Sequence, residues 1–139
     1  VIEKIDHVAM VVQNTDETLE LFSRLFGFKA GDILTDSKAG FKSTMILKSA
    51  VTIELIEPIG PEGVMQKFVE KRGGGLHHIS IRVSDLEEEI KRLRAKGVQF
   101  VTKEPIQVND FSKVIFIHPR STNGLLIELA QKDREHSVS

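Results

Sequence analysis

Apolar side chains fall on alternate positions from Lys4 to Val12 and again from Leu76 to Val83, the period of a β-strand with two different faces. Val8, Met10 and Val12 share one face of the first strand; Ile79, Ile81 and Val83 share the same face of the second. His7, Ala9 and Val11, then His78, Ser80 and Arg82, lie opposite, so each histidine leaves the apolar face. Downstream the period lengthens. Leu19, Phe22 and Leu25 or Phe26, then Leu86, Ile90 and Leu93, recur at helical spacing. Each helix opens on the same signal, Asn14-x-x-Glu17 and Asp85-x-x-Glu88, in which a side-chain oxygen accepts a free amide and the glutamate reaches back. Gly27 and Gly97 follow as C-terminal stops. Three extended segments come after each helix: 28–35, 41–47 and 51–56, then 98–102, 113–117 and 125–130.

The two series are one series repeated. Adding 71 carries Ile5 onto Leu76, His7 onto His78, Met10 onto Ile81, Glu17 onto Glu88 and Phe22 onto Leu93. Further on the offset is 74, and Ile53-Glu54-Leu55 matches Ile127-Glu128-Leu129. The pattern predicts an α+β fold of tandem βαβββ modules, residues 1–58 and 73–131, making one domain with a linker helix at 59–72 and a polar tail at 132–139. Pro58-Ile59-Gly60-Pro61 breaks the last strand of the first module, and Pro61 is suited to open a short helix through Val64, Phe68 and Val69. Gly73-Gly74-Gly75 ends that helix. No predicted strand feeds these glycines and no helix follows, so they form a hinge and not a phosphate cradle.

Composition narrows the function. Hydrophobic content of 40% and charged content of 28% suit a soluble globular domain. A formal net charge of −1 gives no broad basic field, which argues against nucleic acid or an anionic membrane as partner. No apolar run reaches the roughly 18 residues of a membrane span, and no signal peptide is evident, so a cytoplasmic protein is expected. With no cysteine, the strong metal ligands left are His, Asp and Glu. No nucleophile elbow, phosphate loop or dinucleotide fingerprint occurs, and no organic cofactor is expected.

Glu54 and Glu128 lie in strands too apolar to tolerate a bare charge, because an ionised carboxylate out of water costs several kcal/mol unless paired or coordinated. For either residue alone an outward, solvated side chain is the plainer reading. Matching positions in both halves, each with a matching histidine, point instead to a divalent ion shared between the halves. Two imidazoles and two carboxylates form a neutral donor set suited to Co, Zn, Ni or Mn more than to Ca. His77 should face away from His78 and serve a structural role. His118, in Ile-His-Pro-Arg-Ser-Thr-Asn-Gly, is read as an ordinary turn residue, and Lys67, Lys71 and Arg72 as a wet helix face. Arg82 is expected to be exposed or paired with a carboxylate.

Four stretches resemble the vicinal oxygen chelate superfamily, and within it the methylmalonyl-CoA epimerases. They are Ile5-Asp6-His7-Val8-Ala9, Ile53 to Pro58, Phe68 to Ile79 with its Lys-Arg-Gly-x-Gly-Leu-His-His-Ile motif, and Phe116 to Leu129 with His-Pro-x-Ser-Thr-x-Gly. The resemblance implies paired βαβββ modules whose mixed sheet curls around a metal site, with His7, Glu54, His78 and Glu128 as ligands. It also implies an acyl-CoA substrate, a homodimer, and an ion that chelates the substrate's carboxylate and thioester carbonyl so that the α-proton can leave. Epimerisation needs a proton carrier on each face of the α-carbon. Glu128 is one candidate. For the second, the family has Glu-Gln-Gly-Val where this chain reads Lys38-Ala39-Gly40-Phe41. Asp36, on the same strand face if that stretch is extended, or Lys38 with a pKa lowered by burial, would replace the glutamate. The alternatives are a glyoxalase-like lyase or isomerase acting on another compound, and a non-catalytic ligand-binding module.

Overall fold

A computed structural model describes residues 1–47 and 50–133; the polar tail from residue 134 onward, with His136, lies outside the described residues. The elements run β1 (Ile2–Val11), α1 (Thr15–Phe26), β2 (Lys29–Asp36), β3 (Phe41–Leu47), β4 (Ile53–Pro58), α2 (Val64–Arg72), β5 (Gly75–Val83), α3 (Leu86–Ala95), β6 (Ile106–Asn109), β7 (Ser112–Ile117) and β8 (Ile127–Lys132). This is βαβββ written twice with a helix between the copies. The chain divides into two compact units, residues 7–77 and residues 1–6 with 78–139.

In the unit 7–77, β1 runs parallel to β4 with Val8 beside Ile53 and Val11 beside Ile56, β4 is antiparallel to β3, and β3 to β2. A parallel neighbour requires a crossover, which α1 supplies. Asn14 caps that helix by accepting the Glu17 amide at 2.9 Å, and Gly27 ends it in the left-handed region at φ 74°. The histidine side of β1 proves more apolar than alternation implied. Ala9 and Val11, on the same face as His7, are buried with Ile56 beneath Phe41 and the α2 residues Met65, Phe68 and Val69. The linker helix therefore covers part of the face that β1 was expected to keep polar.

In the other unit, β5 runs parallel to β8 with Ser80 beside Glu128, and β8, β7 and β6 follow antiparallel. Val83, Leu86, Ile90, Ile115, Ile117 and Leu129 form its core, flanked by Ile81, Leu93, Val98 and Phe100. Residues 1–6 lie along this unit, the Ser84 amide donating to the Val1 carbonyl at 3.0 Å. The predicted strand at 98–102 is not formed. Phe100 makes one isolated bridge to Ile117, the chain bends through Thr102 and Glu104 to Pro105, and the true β6 begins at Ile106. Proline has no amide to continue the ladder, and the Thr102 hydroxyl turns back onto the Glu104 carbonyl at 2.8 Å. Among the described residues no helix is long and apolar enough to cross a membrane.

Candidate metal centre

Parallel pairing of the first and last strand of a module sets the geometry of an imidazole–carboxylate pair in each unit. In the unit 7–77, Ala9 stands beside Glu54, which brings the next inward side chain of β1, His7, to the same carboxylate: Nε2 to Oε1 is 3.5 Å. In the other unit Ser80 stands beside Glu128, and His78, two residues earlier on β5, has its Nε2 3.9 Å from Glu128 Oε2. Both histidines and Glu128 are buried and Glu54 is nearly so. The expected solvated alternative therefore does not apply to either glutamate. The Ser80 hydroxyl donates to Glu128 Oε1 at 2.7 Å, and the Phe116 ring meets the His78 imidazole edge-on at a centroid distance of 5.2 Å.

These separations bear on whether a cation fits. Nitrogen and carboxylate donors bind a Zn-like ion at about 2.0–2.2 Å, so two donors on one ion stand about 3–3.6 Å apart at bond angles between square and tetrahedral. Separations of 3.5 and 3.9 Å are within a small side-chain adjustment of that range. Each pair joins one imidazole and one carboxylate, both withdrawn from the water that would otherwise solvate them. Each imidazole–carboxylate pair is spaced to share a divalent cation.

His77 turns elsewhere. Its ring sits edge-on to Phe68 of α2 at 5.0 Å; burial holds its pKa below the ordinary imidazole value, and the Glu54 carboxylate partly opposes that shift. Arg82 is paired, its Nε and Nη2 both on Asp6 Oδ1 at 2.8 and 2.7 Å, while Lys132 reaches Asp6 Oδ2 at 2.6 Å. His118 is the turn residue expected of it, Nδ1 accepting the Arg120 amide at 3.0 Å. Lys67, Lys71 and Arg72 are exposed on α2.

The stretch that follows Asp36, through Lys38, is not extended. The chain leaves β2 at Asp36 and turns over residues 37–40, with the Asp36 carboxylate accepting the Ala39 amide at 2.9 Å. Asp36 and Lys38 are exposed, and Lys38 borders a cavity of about 460 Å³ between this turn and residues 59–63. That cavity is not lined by His7 or Glu54. Three further residues emerge that alternation alone did not single out: Ser80 and Asp6, through the contacts above, and Glu57, which accepts the Thr15 amide at 2.6 Å. Ser80 had one available signal, its place two residues after His78 on the same face.

A model of the Glyoxalase/Bleomycin resistance protein/Dioxygenase superfamily matches residues 6–116. The chain is 31% identical over 132 residues to the mitochondrial methylmalonyl-CoA epimerase of Dictyostelium discoideum, covering 94% of this chain and 80% of that protein. The crystal structure of methylmalonyl-CoA epimerase from Mycobacterium tuberculosis superposes with a TM-score of 0.88 at 29% identity, over 99% of this chain and 93% of that one. A methylmalonyl-CoA epimerase solved in complex with methylmalonyl-CoA and NH4+ gives a TM-score of 0.86 at 25% identity, over 96% and 97% of the two chains.

Proposed function

The chain belongs to the glyoxalase/bleomycin resistance protein/dioxygenase superfamily, and from that membership we propose that it is a divalent-metal-dependent epimerase of methylmalonyl-CoA, with His7, Glu54, His78 and Glu128 as the ligands of one ion. The observation that carries this reading is the repeated pair: a buried imidazole 3.5 or 3.9 Å from a strand carboxylate, at matching positions of both modules. The relatives named as epimerases, one of them solved with methylmalonyl-CoA, support the substrate class.

Bound at these residues, a divalent cation supplies Lewis-acid withdrawal of charge from the substrate's carboxylate and thioester carbonyl, which acidifies the α-carbon between them. The protein's own groups do the rest. Phe116 packs edge-on to His78 and keeps water from that side of the ring, which strengthens electrostatic interactions there. Glu128 takes the α-proton from one face of the substrate and returns it. For the second carrier, on the other face, the candidates are Asp36 and Lys38, at or beside the position where the family has its glutamate. Both are exposed at the turn after β2: Asp36 uses one oxygen to hold that turn, and Lys38 borders the cavity between the turn and residues 59–63.

Proton NMR of methylmalonyl-CoA in deuterated water with cobalt-loaded protein tests this reading, following α-proton loss and racemisation together. Exchange coupled to racemisation is the expected result. No exchange with metal verified in the protein overturns it, and makes the Lys38 departure the mark of another substrate. Asp36→Asn and Lys38→Met then separate the two candidates. Whichever carries the second proton loses racemisation by more than about 100-fold, while one stereoisomer still exchanges its α-proton through Glu128.

A further inference from the structure

At matching positions of the repeat, the residues beside the two glutamates differ by a hydroxyl. Across β1 and β4 the residue paired with Glu54 is Ala9; across β5 and β8 the residue paired with Glu128 is Ser80. These are matching positions of the repeat, and both side chains are 0% exposed. A methyl donates nothing to its neighbouring carboxylate. The Ser80 hydroxyl donates to Glu128 Oε1 at 2.7 Å, a charge-assisted bond between two buried groups. The remaining oxygen, Oε2, is the one that faces the His78 imidazole.

We propose that Ser80 is a positioning residue for Glu128: it engages one oxygen of the carboxylate, so that Glu128 offers a single oxygen to the metal and stays aimed at the substrate whenever that oxygen lets go. A buried carboxylate that releases a cation is left with an uncompensated charge, and a hydroxyl already bonded to its other oxygen offsets part of that cost. Glu128, beside Ser80, is thereby equipped to alternate between ligand and proton carrier. A partner of this kind also orients the donor atom it supports, and losing one typically weakens metal binding 10–100-fold. The assignment rests on the epimerase reading above for its catalytic part and on the His78–Glu128 geometry alone for its metal part.

Ser80→Ala and Ser80→Thr in the full chain, loaded with cobalt, decide it. For Ser80→Ala the expected results are cobalt affinity lowered about 10-fold, an altered visible absorption of the bound cobalt as Glu128 becomes free to bind through both oxygens, and kcat for α-proton exchange lowered with KM within about two-fold. Ser80→Thr, which keeps the hydroxyl, is expected to restore all three. An unchanged cobalt affinity and spectrum in Ser80→Ala overturns the proposal, whatever happens to thermal stability. Equal impairment of both variants overturns it in favour of packing alone. If the unsubstituted protein exchanges no α-proton, the epimerase reading fails by itself, and the affinity and spectrum still decide the role of Ser80.

Discussion

Gly74 carries a requirement that its sequence context hides. Three consecutive glycines read as a hinge, yet Gly74 has φ +120°, and a Cβ built there would stand 2.8 Å from the Val11 carbonyl oxygen. Two main-chain segments approach as closely as backbones can, and a hydrogen in place of a side chain is what permits it. Gly74→Ala is expected to destabilise the protein by about 2–4 kcal/mol, combining a disfavoured φ with a backbone collision that no rotamer relieves. Gly60 provides the comparison: φ is +79° and nothing lies within 4 Å of an added Cβ, so Gly60→Ala should cost only about 1 kcal/mol. Urea denaturation of both variants checks the difference, and equal losses would mean that the close approach at Val11 relaxes freely.

Helix α1 shows what the sequence displays about an element and what it conceals. Asn14 and Glu17 announce the N-terminus, and the Asn14 side chain does accept the Glu17 amide. The second cap, Glu57, comes from β4, 42 residues away, and accepts the Thr15 amide at 2.6 Å while Lys42 lies 3.5 Å from its other oxygen. Burial alone would raise the Glu57 pKa, but the hydrogen bond from the Thr15 amide and the Lys42 charge outweigh it and hold the carboxyl below its ordinary 4.5. The folded protein thus binds this proton less readily than the unfolded chain. The stabilisation is complete above the ordinary carboxylate value and drains away as pH falls through the lower folded one. Glu57→Gln should therefore cost about 1 kcal/mol at pH 7 and progressively less below pH 4.5, measured as the difference in urea midpoints across pH. A cost independent of pH would show that the charge contributes nothing. The same division between local and distant explains the one misplaced strand. Val98 to Thr102 has strand composition, and Phe100 does touch Ile117, but Pro105 and the Thr102 turn move the paired segment on to Ile106. Periodicity reports which side chains are apolar and not whether a partner strand has free hydrogen-bonding groups at that register.

For the molecule as a whole, duplication makes the proposed ligand set legible in the sequence itself: His7 and His78 stand out at an offset of 71, Glu54 and Glu128 at an offset of 74. What repetition cannot reveal is where the copies diverge in their surroundings, as at Ala9 against Ser80, or in the Asp6 carboxylate that gathers Arg82 and Lys132 from two strands. Those depend on register, which a single sequence does not display. Duplication also leaves two arrangements of the metal that composition cannot separate: two independent half-sites of one histidine and one glutamate each, or one ion completed by both halves. The proposed chemistry requires the second, since two protein donors alone bind a Co- or Zn-like ion weakly, whereas structural and catalytic sites use three or four. Titration should thus saturate at one ion per chain and raise the melting temperature as metal concentration increases. His7→Ala, from one half, and Glu128→Ala, from the other, should each weaken binding by more than about 100-fold. The double variant should lose far less than the sum, because a ligand lost from either half dismantles the same site. Two ions per chain, or strictly additive losses, would mean that each half binds its own ion, and the proposed chemistry would then lack the four-ligand centre it needs.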